Sequence, residues 1–432
     1  MRTDEMILYK KTGHMDIVTE IAGIESSLTD LQSKDLRDDL SKRLDQAAGR
    51  IIEAAYEFGY SGNLWQMLIT GIIANNENPY SKSAERRGEV NGSINNAALH
   101  DFEIFKELFD FDVASLDQKA GTGCMRLIAD YDNPDSAGQV FNKRIRDRIF
   151  DLSKELDRAG SVNEFKDRVD EFYKEYGVGK FGLNKAFRVY HDRNDEVIIK
   201  PIRNIAHVNL EDLIGYEAAK QKLIDNTEAF VNGRRANNCL LFGAAGTGKS
   251  SSIKGIVNRY FDRGLRMIEI YRHQFKDLNE VIAQVKNRNY RFIIYMDDLS
   301  FEDFETDYKY LKAVIEGGLE KKPDNILIYA TSNRRHLIKE SFSDRNDMDD
   351  ELHASDTVQE KISLSSRFGV TIYFGSPDRK EFNEIVKGLA KRFDIKLSEE
   401  ELLSEANKWE LSHGGLSGRT AQSFIDYLAG RE

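Results

Sequence analysis

The run Gly243-Ala-Ala-Gly-Thr-Gly-Lys249-Ser250 fits the pattern G-x-x-x-x-G-K-[ST]. Glycines at 243, 246 and 248 let the backbone N–H groups of Gly243, Ala244, Ala245, Gly246, Thr247, Gly248, Lys249, Ser250 and Ser251 curl around the β- and γ-phosphates of a nucleotide. A helix that follows points its positive end at the same oxygens. In that frame Lys249 neutralises developing charge and Ser250 holds Mg²⁺. A Gly-rich turn before a helix is the plainer alternative. Context separates the two: the loop follows an apolar run, Cys239–Phe242, and precedes a segment of helical texture, Ser251–Tyr260.

Further along, Phe292-Ile-Ile-Tyr-Met-Asp297-Asp298 is an apolar strand ending in two acids. Beside a phosphate loop, Asp297 would orient Mg²⁺ through its water, and Asp298 would orient and polarise an attacking water. Taken alone, the same run reads as a strand ending at an Asp-rich turn. The next apolar run, Ile326 to Thr331, ends in Ser332-Asn333, where an Asn at a strand tip can reach the γ-phosphate and the water; a plain turn Asn is the alternative. No Asn-Lys-x-Asp stands in the chain to read guanine, which favours adenine. ATP with Mg²⁺ is therefore the expected ligand pair.

These residues need a sheet to hold them. Short apolar runs at Cys239–Phe242, Met267–Tyr271, Phe292–Met296, Ile326–Ala330 and Val370–Phe374 alternate with segments of helical length. That rhythm predicts α/β architecture: a parallel five-stranded sheet covered on both faces. After Phe374 the texture is helical, with Ser376-Pro377 predicted to start one helix and Ser398 with Glu401 a capping box for another. The first part of the chain reads as a mainly helical domain. Ile17, Ile21, Ile24, Leu28 and Leu31 form one stripe, Leu36, Leu40 and Leu44 a second, and Phe141, Ile145, Ile149 and Leu152 a third. Ser161 with Glu164 predicts a capping box ahead of Phe165, Val169 and Phe172. Core packing explains such stripes; a coiled-coil seam is the alternative for the first. Gly177, Gly179, Gly182 and Pro201 mark a connector. The expected domains are a helical 1–205, an α/β 206–376 and a helical lid 377–432.

Together these motifs resemble the AAA+ P-loop ATPases. Gly243–Ser250 looks like Walker A and Ile293–Asp298 like Walker B. Leu213-Ile214-Gly215-Tyr216 resembles the segment lining the adenine pocket, so the resemblance implies that Ile214 and Gly215 contact the base. Asn333 falls where sensor 1 lies, Leu364-Ser-Ser-Arg367-Phe-Gly resembles the arginine-finger segment, and Ser417-Gly-Arg419 resembles sensor 2. The resemblance thus implies that Arg419 touches the γ-phosphate from the lid, that Arg367 acts in trans on a neighbouring subunit, and that the protein is a homo-oligomer. Phrases such as Asp297-Asp-Leu-Ser-Phe-Glu302 and Tyr329-Ala-Thr-Ser-Asn-Arg-Arg-His336 are similar to an uncharacterised bacterial AAA+ family catalogued as a domain of unknown function. Two departures stand out. The second Walker B acid is Asp298 where many relatives use Glu, which leaves Glu302 as an alternative, and Ser366 precedes Arg367 where an acid is expected.

Bulk properties narrow the partners. Residues 1–200 carry 28 Lys+Arg against 36 Asp+Glu, and residues 201–432 carry 34 against 37. Neither part is a basic body that would hold nucleic acid by phosphate neutralisation, so a protein partner on the helical domain is favoured over DNA. The two cysteines, Cys124 and Cys239, are far apart and in no metal-like spacing, which points to a reducing, cytoplasmic address. Leu64 to Ala74, the most apolar stretch, is too short to span a bilayer. The acidic 340–361 segment reads as a solvated loop, with a subunit or partner contact as the alternative. Arg334-Arg335-His336 reads as a surface cluster or an anion contact. The expected activity is ATP hydrolysis that drives remodelling of a macromolecular partner. The alternative is a nucleotide-gated loader or scaffold with little turnover.

Overall fold

The computed structural model describes residues 1–10, 13–29, 34–133, 142–202, 205, 208–301, 307–316, 323–335, 337 and 364–431. Leu31, Phe141, Glu302, His336 and the 340–361 segment lie outside the described residues. The chain divides into two units, Met1–Asn184 and Lys185–Glu432.

In the first unit the predicted stripes become core. Helix α1 (Met15–Thr29) buries Ile17, Ile21, Ile24 and Leu28 within its own unit, which is packing rather than a seam between chains. Helix α2 (Lys34–Phe58) buries Leu40 and Leu44, but Leu36 is 46 % exposed, one turn too early to meet that core. There follow α3 (Leu64–Asn75), α4 (Pro79–Arg87), α5 (Ser93–Asp110), α6 (Ser115–Ala120), α7 (Cys124–Ala129), α8 (Lys143–Asp157), α9 (Val162–Tyr176) and α10 (Gly179–Leu183). The buried Asp101 carboxylate on α5 accepts from the N–H groups of Ile7, Leu8 and Tyr9, pinning the N-terminal segment to the bundle. At the start of α9, Ser161 Oγ accepts from Glu164 N as expected, but the Glu164 carboxylate takes Gly160 N–H instead of closing the box on Ser161.

Among the described residues the second unit holds one sheet of seven strands, where five were expected: β1 (Ala186–His191), β2 (Val197–Pro201), β3 (Cys239–Gly243), β4 (Leu265–Glu269), β5 (Arg291–Met296), β6 (Ile326–Ser332) and β7 (Val370–Phe374). Their order is β2-β1-β4-β5-β6-β3-β7. All neighbours pair in parallel except the β1–β2 hairpin at the edge. The hairpin is the extra pair. Phe187, Val189, Val197 and Ile199 alternate inward, and Asp195, at φ 63°, turns the chain. The segment read as a connector is thus sheet, and the division between units falls at Asn184 and Lys185 rather than at 205. Helices α11 (Glu217–Val231) and α12 (Lys249–Tyr260) pack with one face of the sheet, sharing a core with Leu241, Ile293 and Leu327. Helices α13 (Leu278–Val285) and α14 (Tyr308–Glu316) follow β4 and β5.

Three helices end the chain: α15 (Arg379–Arg392), α16 (Glu399–Ser412) and α17 (Gly418–Ala429), with their own core around Phe382, Leu402 and Phe424. Ser398 and Glu401 form the expected capping box of α16. The start of α15 differs from expectation. Asp378, not Ser376, is its N-cap, because Asp378 and Glu381 exchange side-chain and backbone hydrogen bonds at 2.7 and 2.9 Å. Among the described residues no helix is long and apolar enough to cross a membrane.

Candidate functional site

The loop after β3 lies between β7 and the lid. Gly243 has φ 137°, and a Cβ there would stand 2.0 Å from Phe374 O of β7. Gly246 has φ 73°, and a Cβ there would stand 3.0 Å from Arg419 Cβ and 3.1 Å from Ser417 Oγ of the lid, so a side chain would crowd the lid. Gly248, at φ 89°, turns the chain into α12. Arg419 N donates to Gly246 O at 3.1 Å, so the start of α17 rests on the loop.

Lys249 reaches back over this loop. Its ammonium donates to Gly243 O at 3.0 Å, to Ala244 O at 2.6 Å and to Asn333 Oδ1 at 3.1 Å. Burial holds it below its ordinary pKa; Asp298 and Asp297 push the other way, and Arg419 adds to the lowering. The acids sit one strand away. Ser250 Oγ donates to Asp297 Oδ1 at 2.7 Å, and Thr331 Oγ1 donates to the same oxygen at 2.5 Å. Burial alone would raise the Asp297 carboxyl, but hydrogen bonds from Thr331, Ser250 and Tyr295, with the Lys254 charge, together hold it below the usual carboxylate range. Asp298 has φ 50°, a left-handed backbone uncommon outside glycine. Its N–H is held by Thr331 Oγ1 at 2.9 Å, and its carboxylate accepts from Asn333 Nδ2 at 2.8 Å.

These groups open onto a cavity of about 660 Å³. It is lined by Ala245 through Ser252, Asp297, Asp298, Thr331, Asn333 and Arg419, by Ile214, Gly215 and Tyr216, and by Ile385, Leu389 and Arg392 of α15. Gly243 and Ala244 lie behind the lining and act through their carbonyls. Arg367 is exposed and does not line the cavity. Sequence reasoning missed Thr331, whose role follows from register: Tyr295 pairs with Tyr329, which sets Thr331 beside Asp297. It also missed the α15 wall, for which no local signal exists.

A hydroxyl and a carboxylate form a hard oxygen set suited to Mg²⁺, with no thiol or imidazole to favour a softer ion. Among the described residues no cluster of three or more His, Cys, Asp or Glu could hold a metal alone, so a metal at Ser250 and Asp297 would take its other ligands from phosphate and water.

The fold is the α/β architecture with a mostly parallel sheet that the AAA+ resemblance implied. A family model described as a protein of unknown function (DUF815) matches residues 183–432. No curated protein matches the chain. Among solved structures, a single-residue variant of Thermotoga maritima RuvB is 16% identical, with 51% of this chain and 71% of that chain covered and a TM-score of 0.33. The T. maritima RuvB Holliday junction branch migration motor is 15% identical over 51% and 71%, with a TM-score of 0.32. The FIGL-1 AAA domain in complex with ADP is 17% identical over 52% and 74%, with a TM-score of 0.36.

Proposed function

The chain belongs to the DUF815 family, and on that premise we propose that it is an AAA+ ATPase that binds and hydrolyses Mg·ATP to remodel a macromolecular partner. The supporting observation is the bonding of Lys249 and Asp298 to the two ends of the Asn333 amide, inside a cavity floored by the glycine loop. Backbone N–H groups of the loop bind the phosphates, and Lys249 exchanges its carbonyl partners for phosphate oxygens. Ser250 and Asp297 hold Mg²⁺, which supplies neutralisation of phosphate charge. Asp298 orients a water for in-line attack on the γ-phosphorus and takes up its proton as the bond to the leaving ADP oxygen breaks. Asn333 positions that water, and Arg419 contacts the γ-phosphate from the lid. Ile214 and Gly215 contact adenine. Arg367 serves a neighbouring subunit's site in a homo-oligomer, the helical unit holds a protein partner, and the protein works in the cytoplasm.

A second reading, a nucleotide-gated loader or scaffold with little turnover, draws on Asp298: its side chain is one methylene shorter than Glu and is already engaged by Asn333. Steady-state ATP hydrolysis by the full chain decides between them. Turnover that rises when the protein trapped by Asp298→Asn is used to capture a partner, and that partner is added back to the unmodified chain, supports remodelling. ATP binding with negligible turnover in both conditions supports the switch.

A further inference from the structure

Residues 208–216 run as a strap between the phosphate-loop helix and the lid. On one side the strap is fixed to α12. Asn258 Nδ2 donates to Val208 O at 2.9 Å, Arg259 pairs with Glu211 at 3.1 Å, and Leu210 packs against Gly255. On the other side it meets α15. A Cβ built on Gly388 would stand 2.3 Å from Ile214 Cδ1 and 3.1 Å from Ile214 Cγ1. Glycine disfavours a helix interior relative to alanine, and nothing in α15 needs its backbone freedom there. Its use is the space. One turn further on, Arg392 pairs with Asp212 of the strap at 3.3 Å.

We infer that Gly388 is the notch in the lid helix that receives Ile214, and that this docking, latched by Asp212 and Arg392, makes occupancy of the base end of the cavity set the position of Arg419 at its phosphate end. The inference deepens the ATPase reading and rests on it. The strap is tied to α12 through Val208, Leu210 and Glu211, a few residues before Ile214, so Ile214 is held close to the phosphate-loop helix. Ile214 and Leu389 face the same cavity, one from the strap and one from the lid. A base between them binds only when the lid is docked. The lid then carries Arg419, whose N–H bonds Gly246 O, against the loop. A methyl group on Gly388 displaces the end of the Ile214 side chain from the notch or lifts α15, and on this inference either change unseats the lid that carries Arg419. Gly388 is thus a positioning residue rather than a catalytic one.

The test measures ATP affinity of the full chain by calorimetry in Gly388→Ala, Arg419→Ala and their double variant. Gly49→Ala in α2, where a Cβ meets nothing within 4 Å, is the control for helix propensity. Gly388→Ala is expected to weaken ATP binding about tenfold or more, from overpacking at the notch. Arg419→Ala is expected to cost much less in the Gly388→Ala background than alone, because the arginine is already displaced. Gly49→Ala should bind ATP like the unmodified chain. Unchanged ATP affinity in Gly388→Ala, or strict additivity with Arg419→Ala, overturns the inference while leaving the ATPase reading intact. Failure of the unmodified chain to bind ATP removes that reading and this inference with it. If Gly388→Ala does not fold, charge reversal decides. Asp212→Lys and Arg392→Glu should each weaken ATP binding about two- to fivefold, the range of an exposed pair, and their combination should recover it. No recovery overturns the latch.

Discussion

The Asn333 side chain spans Lys249 and Asp298, accepting from the ammonium at 3.1 Å and donating to the carboxylate at 2.8 Å. One amide therefore sets the relative placement of the residue proposed to bind phosphate and the residue proposed to activate water. Asp298→Asn should keep ATP binding and lose about 10²-fold or more of turnover, the range of a lost general base. Asn333→Ala should also keep binding and lower kcat by about 10²-fold through misplacement of Asp298. If Asp298→Asn turns over normally while Glu302→Gln does not, the base is Glu302.

Thr331 is the residue through which β6 fixes both acids. Its hydroxyl donates to Asp297 Oδ1 and accepts from Asp298 N–H. Thr331→Val keeps the shape and removes both bonds. Groups that orient a metal ligand are worth about 10–100-fold in metal affinity. Thr331→Val should therefore raise the Mg²⁺ concentration at half-maximal ATP binding by about tenfold or more, and Thr331→Ser should stay near the unmodified value. Equal Mg²⁺ dependence in all three proteins would show that Asp297 needs no such support.

The phosphate loop and the acid pair were legible because each is contiguous in sequence, so chemistry and spacing coincide. Thr331 was not, since its meeting with Asp297 depends on the pairing of Tyr295 with Tyr329 across two strands. The β1–β2 hairpin was hidden by its neighbours. Gly177, Gly179, Gly182 and Pro201 read as a connector, although Phe187 and Val189, then Val197 and Ile199, already carried the period-two pattern of a half-buried pair. Periodicity placed Leu36 on the same face as Leu40 and Leu44 but could not say where the core ends. The contact of Ile214 with Gly388 joins residues far apart in sequence, and only the folded lid reveals it.

Lys249 gives a pH dependence with a definite sign. Burial holds its folded pKa below the ordinary 10.5, while the unfolded chain keeps the ordinary value. Between the two the unfolded state binds more protons, so Lys249 makes the nucleotide-free protein gain stability as pH rises through that window. ATP favours the charged ammonium, so its affinity should fall as pH rises through the same folded-state value. Lys249→Met should flatten both slopes relative to the unmodified chain, as read by denaturant titration and calorimetry at several alkaline pH values. Parallel slopes in the two proteins would mean that another group titrates there.

Nucleotide choice is read by melting temperature. A ligand that binds only the folded state stabilises it by about 2.7 kcal/mol at a hundredfold excess over Kd. ATP with Mg²⁺ should raise Tm by several degrees, and Lys249→Ala should abolish the shift. Larger stabilisation by GTP would overturn the adenine assignment carried by Ile214 and Gly215.

Arg367 is exposed in the turn before β7 and does not line the cavity of its own chain. Strand β7 borders β3, the strand that feeds the phosphate loop, yet the residues facing that cavity from this side are Phe374 and the lid. Such a placement supports the proposed role of Arg367 at a neighbouring subunit's site. Arginines supplied in trans are worth about 10³–10⁵ in turnover in related nucleotide hydrolases. A contact in which one subunit's finger enters the next subunit's site is head-to-tail and builds rings or filaments rather than two-fold dimers. Activity per subunit should therefore rise with protein concentration, and Arg367→Ala should bind ATP but lose most turnover. Mixing Arg367→Ala with Lys249→Ala should restore part of the activity. At their shared interface the first supplies an intact phosphate loop and the second supplies the arginine. A protein that stays monomeric with ATP bound, and a mixture no more active than its components, would place Arg367 in a purely local structural role.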